Sequence, residues 1–175
     1  TPEFSDQMEH LVVNPRWNVP RSIAVKEYLP QMKRNRNAAG HLRLVDSRGR
    51  TVSRSSINFG AYNARNFPFA IKQPPSSRNA LGLVKFMFPN KYNIYLHDTP
   101  SKGLFGERTR AFSNGCIRVQ KPVDLAHVLL EGAAADPAAT YAGARESGRE
   151  RFLKTEPLPV HLVYHTTIAD EDGTI

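Results

Sequence analysis

Cysteine is nearly missing from this chain of 175 residues, which carries a single thiol at Cys116. An internal disulfide framework is therefore excluded, and so is any zinc site built on several thiolates. Tryptophan is as scarce, with Trp17 alone. No apolar run approaches the ~18 residues that a membrane-spanning helix needs. The start Thr1-Pro2-Glu3-Phe4 does not read as a signal peptide. No internal repeat or low-complexity tract stands out, which argues against a solenoid or a linker. Acidic residues are in deficit: Lys and Arg number 24 against 16 Asp and Glu, a net charge of +8. Such a surface favours a polyanionic partner, whether nucleic acid, anionic lipid headgroups or a cell-wall polymer. Aromatics interleaved with a basic stripe, the pattern of single-strand nucleic-acid binding, are not found.

What is present is ordinary globular composition, with 40% hydrophobic and 23% charged residues. That is enough for one domain over 1–175 that buries roughly 70% of its extended surface. Short strand-like runs dominate. Glu9–Val13 reads as a strand that ends at the turn-prone Asn14-Pro15. Ser22–Lys33 reads as a helix, with Ile23, Val25, Tyr28, Leu29 and Met32 on one broad face and Pro30 kinking or ending it. The runs 42–46 and 50–53 flank Ser47-Arg48-Gly49 as a hairpin. Leu83–Phe88 and Tyr92–His97, joined by Pro89-Asn90-Lys91, read as an antiparallel pair. Pro122–Glu131 reads as an amphipathic helix stopped by Gly132, a weaker helix runs through Pro137–Phe152, and Val160–Tyr164 is a closing strand. The expected class is mainly β or α+β, a sandwich or sheet core with a few helices packed outside. The aromatic- and Arg-rich stretch 58–77 reads as a long loop, either a lid or a disordered insertion. Residues 101–112 read as a mobile surface loop.

The chemistry concentrates between Ile94 and Val119. His97 ends a strand, and Ser113-Asn114-Gly115-Cys116-Ile117-Arg118 follows after a loop. A cysteine after glycine at a loop-to-helix transition is well placed, because the amides of Gly115 and Cys116 would face a developing oxyanion and a helix N-terminus would favour the thiolate. A free thiol is only slightly ionised near neutral pH, so an imidazole is needed beside it. Strand alternation puts Tyr95 on the side of His97, as part of the site's wall. Trp17, next to Pro15 and Pro20, either lines a groove or packs structurally. His127 reads as a plain helical residue, and the 33–36 basic cluster as a solvated helix end. His161 and His165 lack neighbouring carboxylates, so no metal is expected.

His97-Asp98-Thr99-Pro100 followed by Phe112-Ser113-Asn114-Gly115-Cys116-Ile117-Arg118-Val119 resembles the active-site signature of the L,D-transpeptidases, the YkuD-type catalytic domain. The segment 13–24, with its Asn14-Pro15-Arg16-Trp17 core, is similar to the large periplasmic, multidomain branch. The resemblance implies a nucleophile at Cys116, its base at His97, and Asp98 orienting the imidazole, in the family usually through its main-chain carbonyl. Gly115 and Cys116 amides would form the oxyanion hole, and Arg118 would brace the loop or meet a substrate carboxylate. Ser113, Asn114, Tyr95 and Trp17 complete the candidate site. Two departures stand out: many members have His at the position of Asn114 and a small residue at that of Asp98. The Asp98 carboxylate would either raise the imidazole's pKa or point to solvent.

The implied reaction is acyl transfer on peptidoglycan. Cys116 would attack the third-residue carbonyl of a donor tetrapeptide, release D-alanine and form a thioester. The amine of a second stem would then resolve it as a 3→3 cross-link. Hydrolysis by the same Cys–His pair, as a carboxypeptidase or endopeptidase, is the nearest alternative, and a non-catalytic wall-binding module the more distant one. No cofactor or nucleic acid is implied. The resemblance places such a protein as a monomer in the bacterial periplasm or cell envelope, with a membrane contact only through an N-terminal anchor outside this sequence. The chain, which stops just past a strand at 170–175, reads as a fragment of a longer secreted protein. Carbapenems trap the nucleophile in this family.

Overall fold

A computed structural model describes residues 1–164 and 173; His165 lies outside them, as does most of the 170–175 end. Two sheets and a handful of short helices make an α+β fold. The first sheet has the order β8 (Ile117–Arg118), β7 (Leu96–His97), β6 (Val84–Met87), β1 (Phe4–Val13), β9 (Arg151–Leu162), and the second the order β2 (Trp17–Asn18), β5 (Ala70–Gln73), β3 (Arg43–Val45), β4 (Thr51–Val52). β1 (Phe4–Val13) runs antiparallel to both β6 (Val84–Met87) and β9 (Arg151–Leu162), so it lies inside its sheet. Its last three residues, Leu11, Val12 and Val13, are fully buried, as an interior strand demands. β7 (Leu96–His97) pairs antiparallel with β6 and parallel with β8 (Ile117–Arg118). Two helices, α3 (Pro122–Leu130) and α4 (Pro137–Glu146), cover this sheet. Ala126, Leu129, Leu130, Tyr141 and Ala144 close its core over Met8, Phe86 and Phe88.

The second sheet, β2 (Trp17–Asn18), β3 (Arg43–Val45), β4 (Thr51–Val52) and β5 (Ala70–Gln73), builds a separate core. The β3–β4 hairpin turns at Gly49, whose φ of 79° suits glycine. The helical run begins at α1 (Arg21–Ile23), passes a π turn at Ala24–Tyr28 and ends as α2 (Leu29–Arg34). Pro30 does not end it, since the helix continues to Arg34. A proline ring collides with the carbonyl four residues back. The wider turn, in which the Leu29 amide donates to Ala24 O, makes the room.

Four expectations are corrected. Segment 58–77 is not a disordered insertion or a structureless loop: it contains β5, and Phe59, Phe67, Ile71 and Gln73 are buried. Arg21 ties it down, donating to the carbonyls of Phe67 and Ala64 and lying 5.8 Å from the Phe67 ring centroid. Residues 92–95 are not strand. Asn93 adopts φ 53°, and the Asn90 side chain accepts from the amides of Tyr92 and Ile94. The closing strand starts at Arg151, inside the weaker predicted helix, because that helix stops at Glu146 before Gly148 (φ 63°). Pro157 and Pro159 disguised this strand, and its edge position tolerates them. Cys116 enters a strand, not a helix, so no helix dipole assists its thiolate; α3 begins only at Pro122.

Candidate active site

The three strands β6, β7 and β8 bring the chemistry to one face. Lys85 stands opposite His97, and His97 opposite Arg118. Ile117 pairs with Leu96, and its amide donates to Tyr95 O at 3.2 Å, so Cys116 falls beside Tyr95. Registered neighbours share a face and alternate residues return to it. Lys85, Tyr95, His97, Cys116 and Arg118 therefore project to the same side. The rings of Tyr95 and His97 meet edge to face at 5.9 Å. Cys116 opens onto a cleft of about 300 Å³ walled by Ser101, Phe105, Arg110, Phe112 and Arg118. Thr1 also reaches it, its hydroxyl donating to Gly115 O at 2.6 Å.

His97 is 6% exposed, and its Nδ1 lies 2.5 Å from the main-chain oxygen of Asp98. A carbonyl only accepts, so Nδ1 carries the proton and Nε2 is left as the basic nitrogen. Burial holds the imidazole's pKa below its ordinary value and the nearby Arg118 cation adds to this, while the Asp98 carbonyl and charge act the other way. The ring is thus neutral near pH 7.

The Asp98 carboxylate faces away from the imidazole and works as a brace. Its oxygens accept from the amides of Leu83 at 2.8 Å and Thr99 at 2.7 Å and meet Lys102 Nζ at 2.6 Å. Lys102 also donates to Val119 O and Gln120 O, which ties this corner to the chain just past β8. Gly82, at φ 61°, makes the corner possible: a Cβ there would lie 2.3 Å from the Asp98 carboxyl carbon.

The Cys116 thiol hydrogen-bonds Asn93 O at 3.9 Å rather than His97. Residues diagonal across neighbouring strands lie within reach of side-chain rotation, and catalytic contacts often tighten only with substrate bound. Burial pushes the thiol's pKa up, while the Tyr95 amide and hydroxyl and the Lys85 charge pull it down. At neutral pH the pair therefore rests as thiol and neutral imidazole, ready for proton transfer rather than already ionised.

The remaining predicted residues divide. Gly115 has φ 135°, a conformation that favours glycine, and its amide donates to Ser113 Oγ at 3.3 Å. Asn114 turns from the cleft and donates to Glu27 at 3.4 Å. Arg118 Nη2 donates to Phe112 O at 3.3 Å, while its Nε and Nη1 are buried without a hydrogen-bond partner among the described residues. Trp17 is not beside Cys116. It packs edge-on to Tyr28 and lines a second cleft of about 210 Å³ that shares Ser101 and Arg118 with the first. Sequence reasoning missed Lys85, Lys102, Gly82 and the Asn93 carbonyl. Lys85 alternates with buried Val84 and Phe86 and so reads as a solvated strand position; counting the hairpin register back from His97 would have found it.

A family model described as YkuD, L,D-transpeptidase catalytic domain, matches residues 1–138. A curated protein of Haemophilus influenzae (strain ATCC 51907 / DSM 11121 / KW20 / Rd), titled "Putative L,D-transpeptidase", is 34% identical over 185 aligned residues. The alignment takes in 100% of this chain but 36% of that protein, so the chain spans about a third of its relative's length. With a family match over most of its length, and with the signature Cys116 directly ahead of β8 and His97 on the neighbouring β7, this chain belongs to the L,D-transpeptidase catalytic-domain family.

Proposed function

We propose that this domain carries out cysteine-dependent acyl transfer between peptidoglycan stem peptides in the bacterial cell envelope. The observation that carries the reading is the shared sheet face of Cys116 and His97, with the imidazole held in the tautomer that frees Nε2. Nε2 takes the thiol proton as sulfur attacks the third-residue carbonyl of a donor tetrapeptide. The tetrahedral oxyanion is received by the amides of Cys116 and Gly115, the latter leaving Ser113 Oγ as substrate enters. Collapse expels D-alanine, protonated by His97, and leaves a thioester. The side-chain amine of a second stem then attacks, His97 removes its proton, and the thiol is regenerated with a 3→3 link formed. Arg118, half-buried, unpaired at two nitrogens among the described residues and shared by both clefts, is assigned to a substrate carboxylate.

Incubation with purified disaccharide-tetrapeptide and separation of the products tests this. Cross-linked dimer is the expected result, whereas tripeptide alone would assign the same pair to hydrolysis. Cys116→Ala should lose all turnover and the intact-mass shift produced by a carbapenem. Retained turnover in that variant would exclude Cys116 as the nucleophile, whereas neither turnover nor a mass shift in the unaltered protein would leave a wall-binding role.

A further inference from the structure

Lys85 lies on the reactive face but has no part in the scheme above. It lies on β6 opposite His97, flanked in sequence by buried Val84 and Phe86, and is itself only partly exposed. Its ammonium stands 5.4 Å from the centroid of the Tyr95 ring. A cation over a ring face is drawn to it, and the ring edge and hydroxyl become better hydrogen-bond donors. Tyr95 in turn sits across from Cys116. We propose that Lys85 is a positioning cation for Cys116: seated on Tyr95, it holds that ring beside the sulfur and favours the thiolate when His97 takes the proton.

The surroundings leave this role to Lys85. Around the sulfur, β6 contributes Lys85, the loop before β7 contributes Tyr95, and β7 contributes His97, a neutral ring. From β8 comes Arg118, which donates to the Phe112 carbonyl and whose charge falls on His97. The cleft wall adds Arg110, which donates to Glu107 O, and Thr1. Asp98 is held by Lys102. Glu150, ahead of β9, receives the Arg16 amide at 2.8 Å and partly offsets the Lys85 charge. Burial lowers the lysine's own pKa, and the Cys116 and Glu150 charges oppose that shift, so lysine and thiolate favour each other's charged forms. Among the described residues no helix N-terminus points at this thiol; the Tyr95 hydrogen bonds lower its pKa, and the Lys85 cation adds to them.

The inference rests on the cysteine reading above, but its test needs no substrate, so the two fail separately. The rate of Cys116 alkylation by iodoacetamide is followed from pH 6 to 11, with circular dichroism confirming the fold. Lys85→Met should raise the titration midpoint by about 0.5–1.5 pKa units, the range for a charge several ångströms away at intermediate dielectric. Lys85→Arg should restore it, which a packing role would not. An unchanged midpoint in Lys85→Met, or no recovery in Lys85→Arg, would overturn the proposal. If Lys85→Met fails to fold, Glu150→Gln decides: it removes the countercharge and should lower the midpoint, and no shift would count against Lys85.

Discussion

Replacing Gly82 by alanine should damage the molecule far more than a single methyl normally does. At φ 61° a non-glycine residue pays about 1–2 kcal/mol for the left-handed conformation. The new Cβ would also lie 2.3 Å from both Cγ and Oδ2 of Asp98 and 2.5 Å from its Cβ, against an ordinary contact of 3.4 Å or more. The carboxyl group must therefore retreat by roughly 1 Å. That movement breaks or stretches its bonds to the Leu83 and Thr99 amides, now 2.8 and 2.7 Å. Hydrogen bonds to a charged group contribute about 1.5–3 kcal/mol each, so losing one or both brings the total to about 2.5–8 kcal/mol. For a chain of this size that corresponds to a fall in Tm of roughly 5–30 °C.

Gly49→Ala is the internal control. Its φ is 79°, but no described atom stands within 4 Å of the added Cβ, so the conformational cost alone remains, about 1–2 kcal/mol and a few degrees. Thermal and urea unfolding of both variants, read by circular dichroism, give the comparison. A Gly82→Ala midpoint no lower than that of Gly49→Ala would refute the claim that the Asp98 corner is held by this contact. The Asp98 carbonyl also orients His97, so turnover should fall in Gly82→Ala even below its melting transition.

Two further outcomes concern other parts of the molecule. Asn14, at φ 49°, donates from Nδ2 to the carbonyls of Ala144, Arg145 and Arg149, closing the C-terminal end of α4. Asn14→Ala should cost about 3 kcal/mol in urea unfolding, since it strands buried carbonyls and puts Ala in the left-handed region; a loss under about 1 kcal/mol would show that the cap is dispensable. His97 has a lowered folded pKa, chiefly through burial, so below the ordinary imidazole value of about 6.5 the unfolded chain binds the proton and the folded one resists it. Its contribution to stability is full above that pH and declines as pH falls toward the folded value, by at most about 1.4 kcal/mol per pH unit. His97→Asn should flatten that part of the stability profile between about pH 7 and 5, and an unaltered profile would remove His97 as its source.

Elements governed by neighbouring residues are legible along the chain alone. The Ser47-Arg48-Gly49 hairpin, α3 behind its leading proline, and the alternation around Phe86 all follow from local rules, and all are present. Local rules fail where the deciding partner is distant. Segment 58–77 lacks strand periodicity, but Phe59, Phe67 and Ile71 find a core supplied by the helix at Leu29 and Met32. The 92–95 run is rich in strand-forming residues, but one asparagine side chain at position 90 folds it into a turn. At the candidate site, Cys116 and His97 are legible because their residue types and spacing carry the chemistry. Asn114 and Trp17 are not, because exposure and the partition by Arg118 have no local signature.

By itself the sequence determined the candidate reactive groups: one thiol with no disulfide partner within the chain, a histidine 19 positions before it, and a glycine directly ahead of the thiol. It also determined the family, since the signature lies in two short runs, 97–100 and 112–119, that are read directly along the chain. Only the tertiary structure decided what surrounds the sulfur. Strand register set Lys85 and Tyr95 beside it, tertiary packing sent the Asp98 carboxylate to Lys102 instead of the imidazole, and Gly82 left room for that corner. The reason is geometric: a shift of one residue in strand pairing turns every side chain to the opposite face. Spacing along the chain therefore names the proposed nucleophile and its base, while pairing between strands settles the electrostatics around them.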